Sequence, residues 1–389
     1  METPPRDPPL RFGMFMGPFH ATNLDPTLAL ERDLRLIQHL DQLGFDEAWV
    51  GEHHSGGFEI IAAPEVFIAA AAERTKHIRL GTGVKSLPYH HPFAVAETMA
   101  QLDHMTRGRV MFGVGPGALP SDAAMIGLKP AHMRPRMDEA FDCVARLLRG
   151  ETVTRKTDWF ELCDARLSVG CYTQPAMPLA VASIRSPAGV QAAGRHGASV
   201  LVLSGVDDAA LIQHLSNWRI YEETCAAHGH AASRENWSFA IQMHLAETRE
   251  QAKREVQYGI EKWIGYANDI VPAPNPVPRG LPDPADWVIN NKRAIIGTPD
   301  DAVAEIERML EITGGFGGLL VFAHDWANFA ATKRSLELIA EEVRPRINRA
   351  NWLRQASYDR NAPIQEGNRA LARAGVEEAM ARFANEKSR

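Results

Sequence analysis

Short apolar runs rich in β-branched or aromatic residues alternate along this chain with longer amphipathic stretches. Such alternation is typical of successive β-strand and α-helix units and predicts a parallel sheet. Eight such units match a (β/α)8 barrel, although an open doubly wound sheet shows the same alternation. The predicted strands cover residues 11–16, 46–51, 78–84, 109–114, 178–182, 199–203, 238–245 and 318–322.

The chain is longer than a minimal barrel, which uses about 250 residues, because it has 389. We predict that residues 10–348 form the (β/α)8 TIM barrel and that residues 349–389 form a C-terminal helical extension. A Pro-rich insertion is expected at 265–290, between the last two strands. It could close over the barrel mouth as a lid or lie at the opposite face, because periodicity does not place a loop of this length.

Composition narrows the class of protein. Lys and Arg number 42 against 48 Asp and Glu, and this formal charge of −6 gives no basic excess that would favour nucleic acid or an anionic membrane. No apolar run reaches the roughly 18 residues of a membrane span, and the first ten residues do not resemble a signal peptide. We therefore expect a cytoplasmic enzyme.

The loop after the fourth predicted strand is rich in glycine. Gly113, Gly115 and Ala118 match the pattern G-x-G-x-x-A, and Gly117 adds a third glycine. This pattern can bind a dinucleotide through backbone amides. Pro116 and Pro120 lack such amides. We interpret the segment instead as an active-site loop in which glycine lets a cofactor ring approach the backbone.

Histidines follow three of the predicted strands. His53 and His54 follow the second, His90 and His91 follow the third, and His324 follows the eighth. Barrel enzymes place their chemistry at this end of the strands, so we take His53, His54 and His91 as candidate catalytic residues. A metal site is the competing hypothesis, but there is no HExxH motif and adjacent strand residues point in opposite directions. We predict no metal.

Ser183, Arg185 and Ser186 follow the fifth predicted strand and precede a helix. Two hydroxyls, a guanidinium and the amides of a helix N-terminus could together bind an anion. In the ordinary alternative, Ser186 caps the helix and Pro187 is its first residue. Both interpretations can hold at once.

Long segments of the chain resemble the luciferase-like flavin monooxygenases, over about residues 10–348. The resemblance rests on RFGMFMGPFH, FDEAWVGEHH, IRLGTGVKSLPYHHP, LDHMTRGRVMFGVGPG and IIGTPDDAVAEIERML, and GFDEAWVGEHHSGGFE and GPGALPSD look closest to limonene monooxygenase-type members. It implies a (β/α)8 barrel that receives reduced FMN from a separate flavin reductase. It also implies that the flavin forms a C4a-hydroperoxide with O2 in a dry pocket.

The resemblance also implies roles for individual residues. His53 matches the family's catalytic histidine, and Asp122 matches an aspartate near the flavin. Gly83 and Val84 match a position where members of the family carry a non-prolyl cis peptide beneath the flavin ring. The cofactor-binding set implied by the loops and the resemblance together is Gly83, Val84, Gly115, Gly117, Asp122, Ser183, Arg185 and Ser186.

One departure from the family affects the flavin phosphate. Family members carry an arginine in the loop after the fourth strand, where this chain has Pro116. Arg185 and Ser186 lie near the family's second phosphate-contacting loop, so we expect them to take over this contact.

The resulting hypothesis is a two-component monooxygenase that inserts one oxygen atom of O2 into a small apolar substrate, such as a monoterpene epoxidised at an alkene. The resemblance further implies a homodimer. Two alternatives stay open: an F420-dependent oxidoreductase that transfers hydride on the same fold, and a non-catalytic flavin-binding relative.

Overall fold

The computed structural model describes residues 4–17, 19–203, 205–271 and 276–387. Its strands follow the predicted alternation closely. They are β1 (Arg11–Met16), β2 (Glu47–Val50), β3 (Arg79–Ser86), β4 (Val110–Gly115), β5 (Val153–Lys156), β6 (Glu161–Ala165), β7 (Leu179–Ser183), β8 (Ser199–Val202), β9 (Trp237–Leu245), β10 (Ala294–Gly297) and β11 (Gly318–Phe322).

Eight of these strands form a closed parallel barrel. Its order is β1, β2, β3, β4, β7, β8, β9 and β11, and the barrel closes where β11 pairs with β1, with Arg11 opposite Gly318. The pairing of β8 with β9 joins the two halves. The predicted (β/α)8 barrel is therefore confirmed, and the open doubly wound alternative is wrong because the barrel sheet has no gap in its ring of pairs.

The helices cover the outside of the barrel. Among the described residues none of them is both long enough and apolar enough to cross a membrane. They are α1 (Pro26–Gln42), α2 (Pro64–Arg74), α3 (Pro92–Thr106), α4 (Pro120–Met125), α5 (Pro130–Leu148), α6 (Ala188–His196), α7 (Asp208–Ala227), α8 (Arg249–Val256), α9 (Ile260–Asp269), α10 (Pro284–Asn290), α11 (Pro299–Thr313), α12 (Phe329–Leu338), α13 (Arg344–Ile347), α14 (Trp352–Asn361) and α15 (Gln365–Lys387).

The barrel lumen is filled with apolar side chains. Phe15, Trp49, Met111 and Leu320 are buried together inside it. Glycines alternate with them on the inner face: a Cβ on Gly113 would lie 2.2 Å from the carbonyl oxygen of the neighbouring strand. Bulky apolar side chains thus pack against the glycines of neighbouring strands. Together they form an apolar layer below the C-terminal mouth of the barrel, which we call the floor.

Two parts of the chain lie outside the barrel proper. The β5–β6 hairpin, within residues 152–168, holds part of the length that a minimal barrel does not need. Helix α15 has no buried residue. Strand β10, which pairs with β9, was not predicted, because its four residues immediately precede the Thr298 helix cap and look like a connecting loop.

The Pro-rich insertion flanks the mouth. Residues 272–275 lie outside the described part of the chain, so the lid hypothesis stays a prediction. Asn268 bonds both the amide and the carbonyl of Val277, at 3.0 and 2.7 Å, and so holds the two flanks together. Ile270 packs on the loop after β2, because a Cβ on Gly56 would lie 2.6 Å from its Cγ2.

Candidate active site

His53, at the end of β2, lies between two carboxylates. Its Nδ1 is 3.1 Å from Oδ2 of Asp122 in α4, and its Nε2 is 3.2 Å from Oε2 of Glu59. Burial alone disfavours a charged ring, but the charges of Glu59, Asp122 and Glu52 outweigh it and raise the pKa of His53. The two flanking carboxylates favour the imidazolium form, in which Nδ1–H donates to Asp122 and Nε2 lies at ion-pair distance from Glu59.

Asp122 organises the loop that carries His53. It accepts hydrogen bonds from the amide of His54 at 3.2 Å and from the Ser55 hydroxyl at 2.5 Å, and its side chain is 1% exposed. Burial raises the pKa of the Asp122 carboxyl, but its bonds to His53 and Ser55 outweigh this and lower it. Asp122 is thus an ionised group that positions His53, and its oxygens are already bonded to protein groups rather than free to bind a cofactor.

Glu59 and Tyr266 complete this arrangement, and the sequence did not reveal either. The Tyr266 hydroxyl in α9 donates to Glu59 Oε1, across 207 residues of chain. The ring of Tyr266 packs on Phe19 and Phe58 at centroid distances of 5.2 and 5.3 Å. One sequence signal exists for Glu59: it is the lone acidic residue between Glu52 and the start of α2.

Glu52 forms the centre of a second cluster beside the first. Its buried carboxylate accepts hydrogen bonds from Lys85 at 2.9 Å, from His90 at 2.5 Å and from the Ser86 amide at 2.5 Å. Burial would raise the pKa of Glu52, but the bond to His90 and the charge of Lys85 lower it. His54 Nε2 lies 3.5 Å from the same carboxylate.

The residue types of this second cluster could bind a metal, but a neighbouring positive charge opposes it. Glu52, His54 and His90 offer ligand atoms within 4.8 Å of one another. The Lys85 ammonium already donates to the carboxylate that a metal would need, and a second cation there would be repelled. The chemistry of these residues favours an ion-pair network.

The predicted histidines converge only in part. His90 joins His54 at Glu52, whereas His91 is exposed and packs edge-on against Phe160 of the β5–β6 hairpin at 6.1 Å. His324 stacks on Trp326 at 4.0 Å. Burial, followed by the charge of His244, lowers the pKa of His324 to about 3. His324, after β11, is therefore a neutral packing group, and among the described contacts none joins it to His53 or Glu52.

The end of β3 has an irregular backbone facing the glycines of β4. The Gly83–Val84 peptide bond is cis, as the resemblance implied. The register between β3 and β4 shifts at this point, and a Cβ on Gly115 would lie 2.6 Å from Val84 Cγ2. Gly117 has a φ of +88°, and a Cβ there would meet the Tyr89 hydroxyl at 2.2 Å. Only glycine fits these two positions without displacement of a neighbour.

Two buried hydroxyls face this region without a protein partner among the described residues. They belong to Ser183, at the end of β7, and Tyr89, after β3. Burial, followed by the charges of Asp122 and Glu52, raises the pKa of Tyr89, which keeps its hydroxyl protonated. A buried hydroxyl without a partner is costly, so both groups indicate a polar ligand.

Positive charge collects beyond β7. The carbonyl of Arg185 accepts a bond from Asn217 at 3.1 Å, and its side chain is exposed. Burial lowers the pKa of Arg293, and the nearby charge of Arg185 adds to this, partly offset by Asp207. Two guanidiniums near each other suit an anion. The expected Ser186 cap is wrong: α6 starts one residue later, Pro187 is its N-cap and no side chain caps it.

Comparison with known proteins agrees with the fold. The family model described as luciferase-like monooxygenase matches residues 10–315. Limonene 1,2-monooxygenase of Rhodococcus erythropolis is 43% identical over 377 residues, 97% of each chain. The 4-hydroxyprotoasukamycin monooxygenase of Streptomyces nodosus subsp. asukaensis is 43% identical, covering 94% of this chain and 99% of its own.

A solved structure matches the barrel as a whole. The oxygenating constituent of 3,6-diketocamphane monooxygenase from Pseudomonas putida, in complex with FMN, superposes with a TM-score of 0.73 at 26% identity. The match covers 87% of this chain and 98% of that one. With its closed barrel, its strand-end histidine site and these relatives, the chain belongs to the luciferase-like monooxygenase family of enzymes.

Proposed function

We propose that this protein is a two-component monooxygenase that uses reduced FMN, supplied by a separate flavin reductase, to insert one oxygen atom of O2 into a small apolar substrate. The observation that carries the proposal is the position of His53 between the carboxylates of Asp122 and Glu59, at a mouth lined by glycines. An FMN complex of a related barrel supports the choice of cofactor.

The residues at the mouth fit a flavin. Val84 packs directly on Gly115, and this surface beside the cis peptide would support a flat ring. The hydroxyls of Ser183 and Tyr89, which have no protein partner among the described residues, would meet its polar edge. Arg185 and Ser186 would hold the phosphate. When bound, the reduced flavin would supply the oxygen chemistry, while the protein orients it, excludes water and places the His53 proton donor beside it.

The substrate site would be the apolar lumen above the floor. Phe15 and Phe322 pack edge-to-face there at 5.2 Å, with Leu203 beside them. An apolar wall suits a hydrocarbon such as a monoterpene, and one relative is named for its action on limonene. We propose oxidation at an alkene, as an epoxidation.

Anaerobic titration followed by oxygen admission would test this function. The protein is mixed with photoreduced FMN or reduced F420, and limonene is added as the probe alkene before air. We expect flavin binding, oxygen uptake and one epoxide per flavin oxidised with FMN only. Tight binding of F420 in place of FMN, with no oxygen uptake, would instead favour the reductase alternative, and flavin binding with no turnover the non-catalytic one.

The homodimer is a further proposal. Ala71 and Ala72 of α2 are buried against the protein's own barrel, while Val66 on the same helix is 68% exposed. An interface would therefore use the Val66 side of α2. Light scattering should give twice the monomer mass for the wild type and a smaller mass for Val66→Glu; a wild-type monomer at micromolar concentration contradicts the proposal.

A further inference from the structure

Both ring nitrogens of His53 face a carboxylate. Nδ1 hydrogen-bonds with Asp122 at 3.1 Å, and Nε2 lies at ion-pair distance from Glu59, 3.2 Å away. The side chains of Glu59 and Asp122 are 10% and 1% exposed, so solvent screens these pairs little. A general base needs a neutral imidazole with one free lone pair, which this arrangement opposes.

The two carboxylates are held differently. Asp122 accepts from the His54 amide and from Ser55, residues that immediately follow His53, so its position belongs to the β2 loop itself. Glu59 is fixed from elsewhere: the Tyr266 hydroxyl of α9 donates to its other oxygen. Burial, then the charge of Glu59, raises the pKa of Tyr266, so that hydroxyl stays a donor.

Helix α9 is also the element that enters the Pro-rich insertion. Its Tyr266 packs on Phe58, next to Glu59, and on Phe19, which pairs with Glu59 through backbone bonds. Helix α9 therefore contacts the His53 site through the side chain of Tyr266. Tyr266 and Glu59 are 207 positions apart in the sequence, so their contact depends on the tertiary fold.

We propose that Glu59 is a positioning residue that keeps His53 an imidazolium, and that Tyr266 acts on His53 through Glu59. The inference rests on the proposed function only for its catalytic meaning, since the charge state of His53 is a property of the protein alone. It implies that His53 serves as a hydrogen-bond donor rather than as a resident base.

The groups that face His53 define the pH dependence. Asp122 faces it from α4, Glu59 from the loop before α2 with Tyr266 behind it, and Glu52 from its own loop. Removal of the Glu59 charge leaves Asp122 and the weaker Glu52 contribution. A single opposite charge at this distance moves a pKa by roughly 1 to 3 units, so the loss is measurable.

The test is a histidine titration by NMR on the flavin-free protein labelled at histidine Cε1, with His53 assigned from His53→Gln. Glu59→Gln should lower the His53 midpoint by roughly 1 to 3 pH units. Tyr266→Phe, which removes only the donor that holds Glu59 in place, should lower it by less. Glu31→Gln is the matched control: Glu31 pairs with Arg74 at 2.7 Å on the surface and should leave His53 unchanged.

A His53 midpoint in Glu59→Gln equal to that of the wild type overturns the proposal. Should that variant not fold, an unchanged midpoint in Tyr266→Phe overturns it equally. In turnover, the high-pH limb of product yield should move down with the midpoint. A shifted midpoint in a protein that forms no oxygenated product would leave this inference standing and refute the proposed function.

Discussion

At the scale of single residues, the site is an arrangement of charges more than a row of histidines. His53 lies between two carboxylates from separate parts of the chain, Asp122 in α4 and Glu59 in the loop before α2. The sequence identified His53 and Asp122 through the family resemblance, with Asp122 expected near the flavin. Their direct contact, and the part of Glu59, depend on how loops fold back, which periodicity does not encode.

His53→Ala should separate flavin oxidation from product formation. Reduced FMN should still bind and react with O2, but product per flavin oxidised should fall by roughly 10²- to 10⁴-fold as H2O2 replaces it. Product and H2O2 are measured together in single-turnover mixing. His53→Gln, which keeps a donor between the carboxylates, controls for loss of stability, and wild-type coupling in His53→Ala would refute the role.

Arg185→Ala should weaken FMN selectively. Without an arginine at position 116, a charge-assisted bond from Arg185 to phosphate is worth roughly 1.5 to 3 kcal/mol. Riboflavin has no phosphate and is the natural control ligand, so fluorescence titration should show a larger loss for FMN than for riboflavin. Arg293→Ala should act in the same direction, and an equal loss for both ligands would make Arg185 part of the scaffold.

At the scale of elements, apolar alternation located the eight barrel strands because their inner and outer faces are both buried. Predicted and observed bounds coincide for β1 and β11 and differ by a residue or two elsewhere. Strand β10 was not predicted because its residues, Ala294–Gly297, directly precede the Thr298 helix cap and look like part of that connection. Short edge elements depend on tertiary contacts that no local pattern contains.

The β3–β4 contact shows why glycine is required inside this barrel. Where the register shifts, the Thr82 hydroxyl donates to the Gly113 carbonyl at 2.7 Å and accepts from its amide at 3.0 Å. A Cβ on Gly113 would lie 2.2 Å from the Thr82 carbonyl oxygen, and backbone there has little room to move. Glycine at position 113 therefore allows β3 and β4 to approach closely below the mouth.

Gly113→Ala should lower the free energy of unfolding by roughly 1 to 3 kcal/mol or more, as overpacking does elsewhere. Gly265→Ala in α9 is the matched control. Nothing lies within 4 Å of its added Cβ, and a helix gains about 0.5 to 1 kcal/mol from that change. Urea unfolding midpoints measure both variants, and equal midpoints for Gly113→Ala and the wild type would contradict the steric argument.

At the scale of the whole molecule, the first and last barrel strands are joined by more than backbone pairing. His20, after β1, lies between Asp33 of α1 at 2.8 Å and Asp325, after β11, at 3.2 Å, and Arg32 also contacts Asp325. The chain thus closes its barrel with a buried ionic cluster. The sequence showed the strands on both sides, but His20 carried no sign that distinguished it from other histidines.

This cluster makes the stability of the barrel depend on pH. Burial alone would lower the pKa of His20, but its bonds to Asp325 and Asp33 outweigh this and raise it to about 9. A histidine whose folded pKa is raised stabilises the fold fully below its unfolded pKa, near 6.5, and the contribution is lost as the pH rises to about 9. The loss is at most about 3 kcal/mol over that window.

Urea unfolding between about pH 6 and pH 10 should therefore show His20→Gln losing stability less steeply than the wild type with rising pH. His132→Gln, at an exposed position, should keep the wild-type slope, and parallel curves for His20→Gln and the wild type would show that the buried cluster does not titrate in this window.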